Sequence, residues 1–314
     1  MSSGMTRNIK LLISLISLSV LAGAMFYFTN RDTSGIDKSI FEVVDQDRID
    51  RVTLTSQKGT VELKFDGVKW KVNTAYDADR QLITVLFATV VQTQPKRKLT
   101  GAQRDSVSKK MSRDGVRVLL LEGEILNKEY LVCGNEEKTE TYFQLAGDEA
   151  IYLVTIPGYR VYVASIFELG ESGWRDKGIF NFNWQNFKEL RVHFPKQTDQ
   201  DFSVSLVNNL FSIAEVSVAD TTKLSGFLES LFVLRAEQIL SKTESIRYDS
   251  LLSGYPVVEL AIQDISKKNI ALKIFPPQKG SGVIVGRIND SETVLLSPRA
   301  ATAVSRGRDF FVLK

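Results

Sequence analysis

His193 and Cys133 are each the only residue of their kind in this 314-residue chain, so nucleophile–imidazole chemistry would have to pass through them. A general base must lie within hydrogen-bond reach of its nucleophile and be oriented by a third group. His193 stands in Leu190-Arg191-Val192-His193-Phe194, which alternates like a strand and turns the imidazole to the face opposite Val192 and Phe194. That setting reads as a surface or cross-strand histidine. Cys133 follows Tyr130-Leu131-Val132 and precedes Gly134, without the cationic or helix-terminal setting that activates a thiolate. It reads as a buried structural thiol. One cysteine permits neither an intrachain disulfide nor a cysteine-based metal cluster. The expectation is a chain with no catalytic residue, no metal site and no cofactor.

Three other groups invite a functional reading. Lys279-Gly280-Ser281-Gly282-Val283-Ile284-Val285-Gly286 is rich in glycine, but its glycines precede a strand, whereas a dinucleotide fingerprint opens a helix. A hairpin turn is expected there. Lys96, Arg97 and Lys98 follow a predicted helix, where cations oppose the helix dipole; near a bilayer they would also meet phospholipid headgroups. Phe180, Phe182 and Trp184 alternate with Asn181 and Asn183, shortly after Trp174, Arg175 and Asp176. Exposed, these aromatics would stack on a sugar or grip a partner. Buried, they would weld the two halves of the chain together. Arg175 and Asp176 are expected to pair and fix that junction, with Arg308-Asp309 before Phe310-Phe311 as the equivalent pair at the end.

The elements that position these residues come twice. Arg48–Thr55 opens a strand, Val61–Phe65 alternates as a second, and Asp66-Gly67 supplies a hairpin turn before Trp70-Lys71-Val72. Asp79 or Asp77 caps a predicted helix over Arg80–Thr93. Strands follow over Val116–Leu121, Lys128–Cys133 and Tyr142–Val154, then a short helix near Tyr159–Phe167. The second copy reads Asn186–Phe194, Phe202–Val207, Phe211–Val218 and a helix capped by Asp220. In that helix Leu224, Phe227, Leu228 and Leu231 form an i, i+3, i+4, i+7 stripe. Val257–Ile262, Asn269–Ile274, Gly282–Leu296 and a short helix at Arg299–Arg306 complete it. The fold class is α+β: two pseudo-repeated antiparallel-sheet-plus-helix domains, 44–176 and 177–314, with helices gathered on one face.

Leu11–Thr29 carries no charge, and as a helix it is long enough to span a bilayer. Arg7 and Lys10 precede it, which puts residues 1–10 in the cytoplasm. Phe26, Tyr27 and Phe28 would anchor the far interface. Ala22-Gly23-Ala24 resembles a signal-peptidase site, yet the apolar run continues beyond it, which favours a transmembrane anchor over a cleaved signal. Residues 30–43 then form a polar tether, and the remainder lies outside the cytoplasm, as a periplasmic part. Forty basic against 37 acidic side chains, without a basic–aromatic stripe, argue against nucleic acid.

The anchor, the Arg48-Ile49-Asp50-Arg51-Val52-Thr53-Leu54 opening, Phe65-Asp66-Gly67-Val68-Lys69-Trp70-Lys71-Val72 and the Trp174-to-Phe180 junction (WRDKGIF) together resemble a bacterial family. That family is known as a domain of unknown function, often encoded beside ABC-type transporter components of the gliding-motility (Gld-like) kind. The resemblance covers roughly residues 45–314 and carries no catalytic residue. It implies an inner-membrane location and a protein partner such as an ABC-type transporter component. The functional expectation is a non-enzymatic, single-pass accessory or scaffold subunit. The alternative is an extracytoplasmic glycan- or lipid-binding module.

Overall fold

The computed structural model describes residue 12 and residues 15–25, 36–43, 45–180, 185–207 and 210–313. Residues 15–25 are helical and all exposed. Among the described residues no helix is long and apolar enough to cross a membrane. Part of the expected 11–29 span, with Arg7, Lys10 and Phe26, Tyr27 and Phe28, lies outside those residues.

Two antiparallel sheets form the body. The first is nine-stranded, in the order β4 (Tyr76–Asp77), β3 (Trp70–Val72), β2 (Gly59–Phe65), β1 (Arg51–Ser56), β6 (Val116–Glu122), β7 (Ile125–Gly134), β8 (Thr141–Leu145), β9 (Ile151–Thr155), β5 (Gln94–Lys98). The second is eight-stranded: β12 (Leu210–Ile213), β11 (Phe202–Val207), β10 (Phe187–His193), β14 (Val258–Asp264), β15 (Asn269–Ile274), β16 (Ile284–Ile288), β17 (Glu292–Leu296), β13 (Gln238–Ile239). With β4 set aside, the two orders agree strand for strand. Register agrees as well. Val52 pairs with Leu63 and Leu120, and its counterpart Leu190 pairs with Val204 and Ile262.

Each half lays a long helix on one face of its sheet: α1 (Arg80–Gln92) and α4 (Thr221–Phe232). Their starts are set chemically. The Asp79 Oδ1 accepts from the amides of Gln81 and Leu82 at 2.9 and 3.3 Å, and Asp220 Oδ1 from those of Thr222 and Lys223 at 3.1 Å. Each carboxylate thereby satisfies helix-end donors that have no partner within the helix. The apolar stripe of α4, Leu224, Phe227, Leu228 and Leu231, is wholly buried, as its spacing requires.

The end of each half returns to the same place. The amide of Asp79 donates to the Trp174 carbonyl at 2.8 Å, and the amide of Asp220 to the Phe311 carbonyl at 2.8 Å. Single bridges, Ala78 with Arg175 and Ala219 with Val312, continue each contact. Trp174 and Phe311 are both fully buried in the cores they close. Trp174 ends a short helix α3 (Glu171–Trp174), and Phe311 ends a 3-10 turn.

The expected single helical face is not what forms. Val132 lies in the core beneath α1, whereas its neighbour Cys133 lies in a second, smaller core on the other side. That core is covered by α2 (Gly101–Asp114), which contributes only Val107 and Met111. The second half matches it: Phe275, Val285 and Leu295 are covered by Tyr248, Leu251 and Leu252, from the segment containing α5 (Lys242–Ser245) and α6 (Asp249–Leu252). Burial on successive residues, as at Thr141, Tyr142 and Phe143 and again at Val294, Leu295 and Leu296, is how a strand covered on both sides reads. Helix α2 is otherwise polar, so two apolar residues one turn apart give its sequence almost no helical signal. The last helix, α7 (Pro298–Val304), opens with proline at its first turn and Ser297 as cap.

Trp174→Ala and Phe311→Ala are each expected to lower unfolding stability by about 3–5 kcal/mol in urea titrations, the cost of emptying a large buried site. Trp174→Phe should retain most of that stability, because the indole N–H is buried without a hydrogen-bond partner.

Candidate functional site

The segment joining the halves is bonded on both sides. The Asp176 amide donates to the Asp77 carbonyl at 2.8 Å. On the other side the Ile179 amide donates to the Leu234 carbonyl at 3.0 Å, and the Ala236 amide to the Lys177 carbonyl at 2.8 Å. Arg175 and Asp176 do not pair with each other, contrary to the sequence expectation. In this extended stretch successive side chains point opposite ways. Arg175 reaches Glu292 of the second half at 2.6 Å and lies over the Tyr76 ring at 3.5 Å. Arg235 of the second half spans Asp79 Oδ2 at 2.8 Å and Asp176 Oδ1 at 3.1 Å. The helix-capping carboxylate of the first half is thus also its ionic contact with the second.

Arg308 and Asp309 approach only to 3.8 Å, and Asp309 accepts a hydrogen bond from Gln200. By strand pairing the counterpart of Arg175 is Val312, so the expected equivalence with Arg308-Asp309 is a mismatch of position. Phe180 is buried in the second core. Phe182 and Trp184 lie outside the described residues.

Two surface grooves are the other conspicuous feature. The first, about 580 Å³, opens between α1 and the β2–β3 hairpin and is walled by Phe65, Trp70, Ile83, Thr84, Phe87 and Val91. Trp70 stands 5.9 Å from Phe65 and 5.4 Å from Phe87, ring centre to ring centre. The second, about 470 Å³, lies between β12 and α4 and is walled by Phe211, Ser225, Leu228, Glu229, Phe232 and Val233. These are the same places in the two halves. Trp70 and Phe211, Thr84 and Ser225, Phe87 and Leu228, Val91 and Phe232 are each separated by 141 positions (211 − 70). Apolar side chains stay exposed at both mouths: Phe65 is 39% and Val91 37% accessible, Phe232 45% and Val233 61%.

Lys96, Arg97 and Lys98 do not extend the helix. They belong to β5, the edge strand beside β9, with a register break between Pro95 and Arg97. Proline and cations on an edge discourage pairing with another chain. Their side chains part company. Arg97 donates to Gln103 at 2.9 Å, whereas Lys96 lines a cavity with Lys138 and Arg160.

His193 is exposed on β10 and its Nδ1 lies 2.6 Å from Asp201 Oδ2, while Asp201 Oδ1 accepts the Phe194 amide. The carboxylate therefore ties down the strand end as well as the imidazole. Cys133 is buried against α2, and burial pushes its thiol above the ordinary value. The glycine-rich stretch is a turn at Gly280 leading into β16. Among the described residues no group of three or more His, Cys, Asp or Glu could hold a metal ion.

Two outcomes follow for the junction. A double-mutant cycle on Arg175→Met and Glu292→Gln is expected to give a coupling of about 1–3 kcal/mol, because the pair is largely shielded from water. At Asp77, burial works to raise the carboxyl, but Lys69 and Lys71 outweigh it and hold the group below its ordinary value of 3.8. A depressed carboxyl contributes stability above its unfolded value and loses it as pH falls through the folded one. The stability gap between the parent chain and Lys69→Met/Lys71→Met should be widest near neutrality and close below pH 3.8.

No curated protein matches this chain. Residues 70–250, from β3 through the junction into α6, match the family described as Domain of unknown function (DUF4340). The match covers more than half of the 314 residues, and the chain belongs to that family.

Proposed function

We propose that this chain is a non-enzymatic envelope protein held at the bacterial inner membrane by residues 11–29, with both sheet-and-helix units outside the cytoplasm. It serves as an accessory or scaffold subunit of a transporter or envelope assembly. The observation that carries this reading is the repeated groove: Trp70, Thr84, Phe87, Ala88, Val91 and Gln92 in the first half line the same open place as Phe211, Ser225, Leu228, Glu229, Phe232 and Val233 in the second, with apolar side chains at each mouth. Apolar surface of this kind on a soluble unit marks where another molecule is received. Two such sites on one body let a partner engage twice, and the second contact gains from the first by effective concentration.

Three further observations support the setting. Leu11–Thr29 is uncharged and follows Arg7 and Lys10, and its described helical residues 15–25 make no apolar core with the rest of the chain. The motifs at 48–54, 65–72 and 174–180 resemble a family encoded beside ABC-type transporter components. The matched strand orders fit an ancestral unit copied once, which explains why the groove comes in a pair.

The test is crosslinking in cells that make the full chain, with a photoreactive residue at Val91 or at Phe232. Both positions are expected to capture one and the same membrane-assembly component, and a probe at Lys267, an exposed turn residue, is expected to capture none of it. Val91→Asp combined with Phe232→Asp should abolish co-purification of that component while leaving the melting temperature nearly unchanged. Different proteins trapped at the two positions would overturn the reading, as would substrate turnover by the purified chain that a point substitution abolishes.

A further inference from the structure

The cavity that Lys96 shares is independent of the paired grooves and has a different chemistry. It measures about 430 Å³ and lies where β5 and β9 meet the β7–β8 turn and the loop that follows β9. Three cations from three separate segments face it: Lys96 on the edge strand, Lys138 in the turn and Arg160 in the loop. Thr139, Thr141 and Thr155 line it as well, the buried Thr141 hydroxyl accepting the Ala164 amide at 3.0 Å. Glu140 is the only carboxylate in the lining, and it already accepts the Tyr142 hydroxyl at 2.5 Å. Glu168, close by, accepts the Tyr162 hydroxyl and lies 3.9 Å from Lys138. Glu168 therefore partners Lys138, and Lys96 and Arg160 are the cations of this wall left without an ionic partner among the described residues.

The supports of this wall are fixed. Asn135 organises the turn that carries Lys138: its Oδ1 accepts the amides of Thr139 and Glu140 at 2.8 and 2.9 Å, and its Nδ2 donates to the Thr139 hydroxyl at 2.8 Å. The Thr139 hydroxyl, acting as acceptor there, keeps its own proton for a ligand. Lys138 itself takes a left-handed backbone, φ +55°. The loop is pinned by Tyr162, which passes so close to Gly134 that a Cβ there would fall 1.6 Å from the phenol oxygen. Beside the cations, Tyr159 and Val161 are exposed at 65% and 51%. Cations with a neighbouring aromatic and aliphatic rim are the arrangement that suits a charged headgroup above an apolar boundary.

We infer that this cavity binds a phosphoryl group, either in a phospholipid headgroup or as a soluble phosphate, with Lys96, Lys138 and Arg160 supplying charge and Thr139 a hydroxyl donor. Lysine and arginine hold phosphate by charge-assisted hydrogen bonds, and two or three together outweigh a single nearby carboxylate. Arg97 and Lys98, adjacent on the same strand, take no part.

The test titrates the full chain, in non-ionic detergent, with inorganic phosphate and, separately, with dihexanoyl phosphatidylglycerol below its micelle concentration, at low salt and with calorimetric detection. Saturable binding of at least one probe is expected, weakened tenfold or more by Lys96→Ala with Arg160→Ala and also weakened by raised salt. Lys98→Ala should leave binding within twofold. Binding of phosphate, with competition against the lipid, would assign the site to a free phosphoryl ligand; binding of the lipid alone would assign it to a headgroup. Either result upholds the cavity. Absence of binding by both probes would overturn it, and so would binding that Lys96→Ala/Arg160→Ala leaves unchanged while melting shows both variants folded. Lys96→Arg, which keeps the charge, should restore affinity in the Arg160-intact background, and failure of that rescue would also count against the site.

Discussion

The hydrogen bond from each helix-capping aspartate amide to the last buried aromatic of its own half is the constraint on which the rest of the molecule depends. It joins the beginning of the helix to the end of the half, roughly a hundred residues later, and so closes the sheet–helix layer. The side chain of the same aspartate caps the helix while its amide is bound to the return segment. Helix direction, helix start and the seating of Trp174 or Phe311 are therefore one event. At Asp79 a fourth duty is added, because the second carboxylate oxygen receives Arg235 from the other half. Where a single residue holds local structure and the inter-unit contact together, the two cannot drift independently.

From that closure the joint between halves acquires its character. It is neither a flexible linker nor a purely apolar weld. Backbone bonds on both sides of residues 176–179 fix its course, and Arg175 and Arg235 reach across in opposite directions to Glu292 and to Asp79 with Asp176. Arg175 is enclosed by the Tyr76 ring and Glu292, where charge separation from water strengthens the attraction but makes a lone partner costly. Such a pair contributes more to orientation than to net stability. The second half closes with Val312 at the place that Arg175 takes in the first.

Much of this was legible in the residues. The strands with clean alternation, such as Phe202–Val207 and Asn269–Ile274, lie where their period puts them, and so do the aspartate caps and the stripe in α4. The doubled succession of elements along the chain was legible because each hydrophobic pattern recurs at nearly constant spacing. Four things were hidden. Helix α2 shows too few apolar residues to announce itself, and its partner surface is visible only as unbroken burial in β8. The two-residue strands β4 and β13 are too short to carry a period. Arg175 and Asp176, adjacent in sequence, looked like a pair until extended backbone sent them apart. The grooves and the cationic cavity are assembled from separated segments, and only the matching positions of Trp70 and Phe211 hinted at the former.

The second cores have a consequence for where the molecule loosens. They back only one wing of each sheet, the strands β7 to β9 and their counterparts, with a third layer. The opposite wing, β2–β3–β4 and β11–β12, has one covered face and one wet one. Amide protons there should exchange with solvent at a smaller opening free energy than those under the triple layer, since fewer apolar contacts must be given up. The open grooves are built on that thinner wing. Whatever settles into them would therefore stiffen the more yielding margin of each unit, and its arrival would be felt as slowed exchange across strands it never touches.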